Sequence, residues 1–393
     1  MRTWLCIAAL LILPLIVYWP TVTHEYGFRD DYAHLREVRE RPGWLTTLTT
    51  SNGRPIYGAV LEASLRDVHD VPGLTMLRLA ATLLIGAAGL LLWRQLRSSG
   101  WSETEAATLA AAAMLLPGAQ IVVGWAIAWP IALGLVVALG GFTLVEGGLQ
   151  RKGLARIACV AAGVLCYLLA GLTYQTSALY AVVPLAAVLL LREGTTERRD
   201  AEWIAAHIGT LFAGLFAGFI LMSVVFTEGV VPEAARMQIE PHPFIKMLWF
   251  LRNPLPNSVA LFPLRDRFAT PVSFWIVLAA VVILIVLGFI YGARNRRERL
   301  RWLFAALALP FVAHSVSLAA SSQAIGYRTL LPLSGLYLVL AAFGLRAVAA
   351  RFGVPRTAYA VVLAGILATA GVLAQHNALK LIAEPQGNEW RLI

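Results

Sequence analysis

The chain has 393 residues, 59% of them hydrophobic and 14% charged, with a mean hydropathy of +0.71, whereas soluble domains carry roughly 25% charged residues. A water-soluble globular enzyme is excluded, and so is a β-barrel, because the Leu/Ala/Val blocks are continuous rather than alternating. The net charge is +10, and the 32 basic residues are three lysines and 29 arginines, a bias that fits either positive-inside membrane loops or bidentate recognition of phosphate and carboxylate.

Apolar runs of the length needed to cross a hydrocarbon core as helix lie near 4–19, 72–93, 103–117, 119–146, 154–172, 174–192, 203–226, 271–292, 302–320, 329–347 and 357–379. The fold class is therefore all-α and polytopic, with about eleven spans in a single transmembrane domain over 1–393. The third run is the shortest, since Pro117 and Gly118 cut it, and a re-entrant segment is its alternative reading. The first run lacks a small-residue cleavage site before Tyr18-Trp19-Pro20 and reads as an uncleaved anchor. Apart from His314 the spans read as nearly free of charge. Cys6, Cys159 and Cys166 lie inside apolar runs, which supports neither a disulfide framework nor a zinc site.

Arg2, Arg94, Arg97, Arg151, Lys152, Arg156, Arg192, Arg198, Arg199, the Arg294–Arg301 group, Arg346, Arg351 and Arg356 all fall on one side of this arrangement, which the positive-inside rule makes cytoplasmic. The opposite face then carries two long loops, 20–71 and 227–270, where function on a membrane scaffold usually resides.

In the first of these loops, Phe28-Arg29-Asp30-Asp31-Tyr32-Ala33-His34 places two carboxylates side by side at a helix start. Successive side chains there diverge by about 100°, so one can face a cavity while the other caps the helix or holds an arginine. A plain Asp N-cap is the alternative. Further on, Asn52-Gly53-Arg54-Pro55 is a turn that brings an arginine to the start of a second helix along the membrane surface, with Pro55 in its first turn; interfacial snorkelling is the alternative for Arg54. The loop 227–270 is rich in proline and charge and reads as a lid, an acceptor-selecting loop or a solvated connector. It holds His242 and the second-rank phosphate candidates Arg252, Arg265 and Arg267. Near the outer face, Trp125, Trp129, Tyr174 and Gln175 read as interfacial anchors or as the lining of a sugar cavity. His314, inside the ninth run, reads as a functional group or as a neutral imidazole bonded to a neighbouring helix.

An acidic pair followed by an aromatic (Asp30-Asp31-Tyr32), then Trp44 and Gly53-Arg54-Pro55, resembles the membrane glycosyltransferases of the GT-C fold. The likeness is closest to the glucosyltransferases that modify bacterial O-antigen, the outer part of lipopolysaccharide. Gly171-Leu172-Thr173-Tyr174-Gln175 and Tyr327-Arg328-Thr329-Leu330-Leu331-Pro332 are weaker echoes in the expected order. The resemblance implies transfer of a sugar from a polyprenyl-phosphate donor to a glycan, glycolipid or protein acceptor. That transfer would occur on the periplasmic or exterior face of a bacterial inner membrane. It implies Asp30 as base, with Asp31 as its neighbour or an acceptor ligand. Arg54 and Arg328 would contact donor phosphate or sugar, with Arg252, Arg265, Tyr174 and Gln175 in support, and Tyr32, His34 and His242 would lie toward the acceptor. No metal cofactor and no nucleic-acid partner is implied. The competing classes are an O-antigen polymerase or ligase, for which a large late loop is expected, and a transporter or flippase, for which charged mid-span residues and matched repeats are expected.

Overall fold

The computed structural model of the chain describes residues 2–193, 195–234, 237–265, 270–323 and 325–391. Arg236, Asp266 and Arg267 lie outside the described residues. Within them the regular structure is helical, apart from one isolated bridge between Ile239 and Ala320. Seven of the expected runs are helices long and apolar enough to cross a membrane: Leu74–Ser98, Ala126–Leu149, Gly153–Thr173, Glu197–Thr227, Val272–Gly292, Tyr327–Arg351 and Arg356–Trp390.

The other four runs are helical but short or broken. Thr3–Val17 and Gln175–Leu191 are shorter apolar helices. Glu103–Met114 and Pro117–Gly124 meet at a 52° bend and together make an eighth candidate span. Pro117 starts the second piece, where its missing N–H is harmless. The ninth run is interrupted by a π-helical stretch, Phe304–Ala308, and again at His314, where the backbone leaves helical geometry. The fourth run, expected as one helix over 119–146, breaks at Trp125 instead. Pro130, in the first turn of the next helix, has no N–H to donate to the Ala126 carbonyl, and the freed polar groups find lateral partners: the N–H of Ile127 donates to Asp31 and its carbonyl accepts from the Tyr57 hydroxyl.

The basic loops gather at one end of the bundle. Arg97 donates to Thr3, Thr3 to Glu103, Arg346 to Glu105 and Gly100, and Trp101 to Ala187, while Arg192, Arg297 and Arg301 surround Asp200. Packing inside the bundle depends on small residues. A Cβ on Gly344 would lie 1.9 Å from the Leu284 carbonyl oxygen, so this approach of Val272–Leu287 to Leu331–Arg351 admits only glycine.

At the opposite end one charge does sit within an expected span, which corrects the reading of charge-free spans. Arg78 is completely buried near the start of Leu74–Ser98. Its guanidinium donates to the carbonyls of Thr21 (2.6 Å), Tyr26 (2.9 Å) and His24 (3.1 Å) and lies 4.0 Å from the Tyr26 ring centroid. These carbonyls belong to the chain leaving the short helix Trp19–Thr23, where no helix hydrogen bonds are available. Tyr26 in turn donates to the Gly124 carbonyl at 2.9 Å, so Arg78 fixes where the first long loop begins. Arg78→Met leaves three buried carbonyls without donors and is expected to cost on the order of 3 kcal/mol or more. Thermal unfolding of the purified protein in detergent checks this, and an unchanged melting midpoint would mean that water reaches those carbonyls.

Candidate functional site

The first long loop is a set of short helices, Asp31–Glu40, Trp44–Ser51 and Pro55–Arg66, held by buried polar side chains. Glu62 accepts from the N–H groups of Gly43 (2.5 Å) and Thr46 (3.0 Å) and from the Thr46 hydroxyl (2.7 Å). Burial pushes its carboxyl upward, but these hydrogen bonds outweigh burial and hold it below the ordinary value. It therefore caps the start of Trp44–Ser51 as an anion.

The two aspartates have different surroundings. Asp31 is fully buried, and its carboxylate accepts from the N–H of Phe28 at 2.9 Å and of Ile127 at 3.1 Å. Asp30 is exposed, and its side chain does not cap the helix that follows. Its neighbour Arg29 has φ of 54°, a left-handed conformation that costs a non-glycine residue energy. Tyr32 is half-buried, stacked on Trp390 at 6.1 Å, with its hydroxyl accepting from the Gly27 N–H at 3.1 Å. It packs so closely that a Cβ on Gly27 would be 2.6 Å from its ring. Tyr32 therefore shapes the turn. His34 pairs with Glu37 at 3.3 Å, and burial lowers its pKa against the opposing pull of Glu37 and Asp30.

From Arg29 runs an alternating ladder of cations and rings. The Arg29 guanidinium lies 5.8 Å from the Trp125 ring centroid, and the Arg328 guanidinium lies 4.4 Å from that centroid. Arg328 Nε donates to the Tyr174 hydroxyl at 3.0 Å, and Arg54 sits 4.2 Å from the Tyr174 ring centroid. Arg54 Nε donates to Gln175 Oε1 at 2.9 Å, and Gln175 reaches back to the carbonyls of Gly53 (3.1 Å) and Asn52 (3.3 Å). Tyr57 lies beside Tyr174, and burial raises its hydroxyl pKa, so it stays a neutral donor to Ile127. Among the described residues, none of the three arginines forms an ion pair with a carboxylate.

The Gly53-Arg54-Pro55 turn, the Tyr174-Gln175 junction and Arg328 are thus brought to one place from three distant parts of the chain. The second long loop crosses the same place. The Ala234 N–H donates to the Ser51 carbonyl at 3.0 Å, and Met237 sits where a Cβ on Gly53 would be. Farther along, Lys246 is buried with its ammonium on the carbonyls of Ala320 (2.7 Å) and Ser322 (2.5 Å). Arg265 meets the cluster through its backbone, whose N–H donates to the Tyr327 hydroxyl at 2.6 Å, while its guanidinium lies near Phe274. Arg252 and His242 are exposed at the two ends of the Pro243–Arg252 helix, and no contact joins either to the arginine ladder among the described residues.

Trp125 is neither an exposed interfacial anchor nor an open sugar platform, because it is buried and flanked by two guanidiniums and the edge of Phe28. Trp129 donates to Ser64 at 3.2 Å. His314 is buried between Trp249 and Phe250, and neither ring nitrogen has a hydrogen-bond partner, so it is not bonded to a neighbouring helix. Sequence reasoning passed over Arg29, Tyr57 and the ladder role of Trp125. Arg29 stood inside the quoted motif, but only its positive φ and its ring contacts distinguish it from a solvated arginine. Among the described residues no three His, Cys, Asp or Glu side chains lie close enough to hold a metal ion together.

No protein-family model matches the chain, and no curated protein matches it.

Burial raises the Asp31 pKa to about 6, against the lowering effect of the Phe28 and Ile127 amides and of Arg78. Between the unfolded carboxyl value and about pH 6 the folded state binds the extra proton, so the Asp31 contribution to stability is fully present at low pH and is lost as pH rises through about 6. The difference in stability between wild type and Asp31→Asn is expected to shift by on the order of 3 kcal/mol across that window, at the expense of the wild type. Parallel melting curves from pH 4 to 7 would instead mean that Asp31 keeps an ordinary pKa.

Proposed function

We propose that this chain is a GT-C-type membrane glycosyltransferase that moves a sugar from a polyprenyl-phosphate donor to a cell-envelope glycan, glycolipid or protein. The observation that carries the reading is the pair Arg54 and Arg328, both held on Tyr174 and without a carboxylate partner among the described residues, on the same ring ladder as Arg29 beside exposed Asp30. Adjacent cations repel unless an anion joins them. Each uses Nε on the protein, and the terminal nitrogens of a guanidinium are the ones that match phosphate oxygens.

In this reading the proton of the acceptor hydroxyl passes to the Asp30 carboxylate as its oxygen bonds to the anomeric carbon, and the bond from that carbon to the phosphate oxygen breaks. The leaving phosphate changes from a diester to a monoester and gains one negative charge. Arg54 and Arg328 therefore stabilise the transition state more than the bound donor. Asp31, buried and bound to two amides, positions Asp30 rather than reacting. One reactive carboxylate implies inversion, because a double displacement needs a second carboxyl as nucleophile.

The short and broken apolar helices complete eleven crossings in this reading. The positive-inside rule puts the basic end in the cytoplasm and the arginine ladder on the periplasmic or exterior side of a bacterial inner membrane. The exposed tip of the second outer loop, with His242 and Arg252, is left free to meet the acceptor.

The test is sugar transfer in liposomes from synthetic polyprenyl-phosphate sugars to envelope extracts. Asp30→Asn is expected to lower kcat by about 10²–10⁴-fold with donor affinity kept. Arg54→Gln and Arg328→Gln are each expected to weaken the reaction by roughly tenfold to a hundredfold. Full turnover in all three variants would remove the mechanism. NMR of the product anomeric centre is expected to show inversion, and retention would require a different nucleophile.

A further inference from the structure

A second group of arginines, at the basic end, has more charge than its partners absorb. Asp200, buried near the start of Glu197–Thr227, is met by three guanidiniums. Arg301 is itself buried and fully used: Nε donates to Asp200 Oδ2 at 2.6 Å, Nη2 donates to Thr195 Oγ1 at 2.7 Å, and Nη1 donates to the Arg192 carbonyl. Thr195 donates to the other Asp200 oxygen at 2.6 Å. Little of that carboxylate remains for the other two.

Arg192 Nε stands 3.3 Å and Arg297 Nε 3.9 Å from Asp200, and neither makes a hydrogen bond, although both nitrogens are shielded from solvent. Arg192 is braced over the Trp203 ring at 4.8 Å. Glu146, beside Trp203, already accepts from Trp203 at 2.8 Å and bonds His207 at 3.0 Å. Glu197 faces Arg296 at 3.9 Å. Even counting Glu146, three arginines and two carboxylates leave one positive charge and two shielded donors without acceptors. Such donors are costly when left unmade. A phosphodiester oxygen would supply both the missing charge and the acceptors.

Apolar surface lies next to this charge. Leu300 and Leu303 are exposed on the Arg296–Leu303 helix, within two turns of Arg297. We propose that Arg192 and Arg297 bind the phosphate of an anionic glycerophospholipid whose acyl chains lie along these residues. The site stands at the opposite end of the bundle from the arginine ladder and does not depend on the transfer reaction.

The experiment uses the full chain, delipidated in detergent, and follows its melting midpoint during addition of phosphatidylglycerol, phosphatidylcholine or soluble glycerol 3-phosphate. Phosphatidylglycerol is expected to raise the midpoint, with at least a tenfold weaker apparent affinity in Arg192→Gln/Arg297→Gln. Arg296→Gln, an exposed neighbour, is expected to keep the wild-type response. Should the double variant not fold, Arg297→Gln alone, which removes only the 3.9 Å approach, is expected to show a reduced response. An equal rise with phosphatidylcholine, a full rise with glycerol 3-phosphate alone, or an undiminished response in the Arg297→Gln or double variant would overturn the assignment.

Discussion

The end of the bundle that carries the arginine ladder depends on one buried carboxylate. Asp31 accepts from the amides of Phe28 and Ile127, joining the first long loop to the place where the fourth apolar run breaks. A carboxylate removed from water is costly unless its oxygens are bonded, and backbone amides in irregular structure are costly unless they have acceptors. Each satisfies the other. This bond holds the chain where it breaks at Trp125, and that ring is the centre of the arginine ladder.

Arg78 performs the complementary task for carbonyls. Its three donors serve Thr21, His24 and Tyr26, leaving the loop between the first and second apolar helices with a fixed entry. With Asp31 collecting donors and Arg78 collecting acceptors, the backbone over 24–30 is held without regular secondary structure. That rigidity allows Arg29 to keep a left-handed backbone, since local strain persists only where its surroundings over-determine it.

The two ends of the bundle treat arginine differently. At the basic end, arginines meet carboxylates: Asp200, Glu105, Glu197. In the ladder, aromatic faces and neutral oxygens take the place of acids, through Trp125, Tyr174 and Gln175. A ring holds a guanidinium in place without cancelling its charge, so an arginine held this way still attracts an anion. This contrast, more than the number of arginines, makes the ladder a candidate site.

Much of this was legible in the amino-acid order. Hydropathy alone marked the seven helices long and apolar enough to cross a membrane, because a helix that must satisfy its own backbone in hydrocarbon needs a continuous apolar run. Motif reading chose Asp30-Asp31, Arg54, Tyr174-Gln175 and Arg328, short polar segments stranded at the ends of apolar runs. It could not divide the roles of Asp30 and Asp31, identical side chains one residue apart. It also took Arg78 for part of an apolar run, since its carbonyl partners belong to a loop more than fifty positions away. By itself, then, the sequence determined the helical membrane class and a short list of polar candidates, because local hydropathy and composition are properties of contiguous residues. Only the tertiary structure decided which helices break, which aspartate is buried and which arginines share a ring, because burial and hydrogen-bond satisfaction are set by partners distant in the chain.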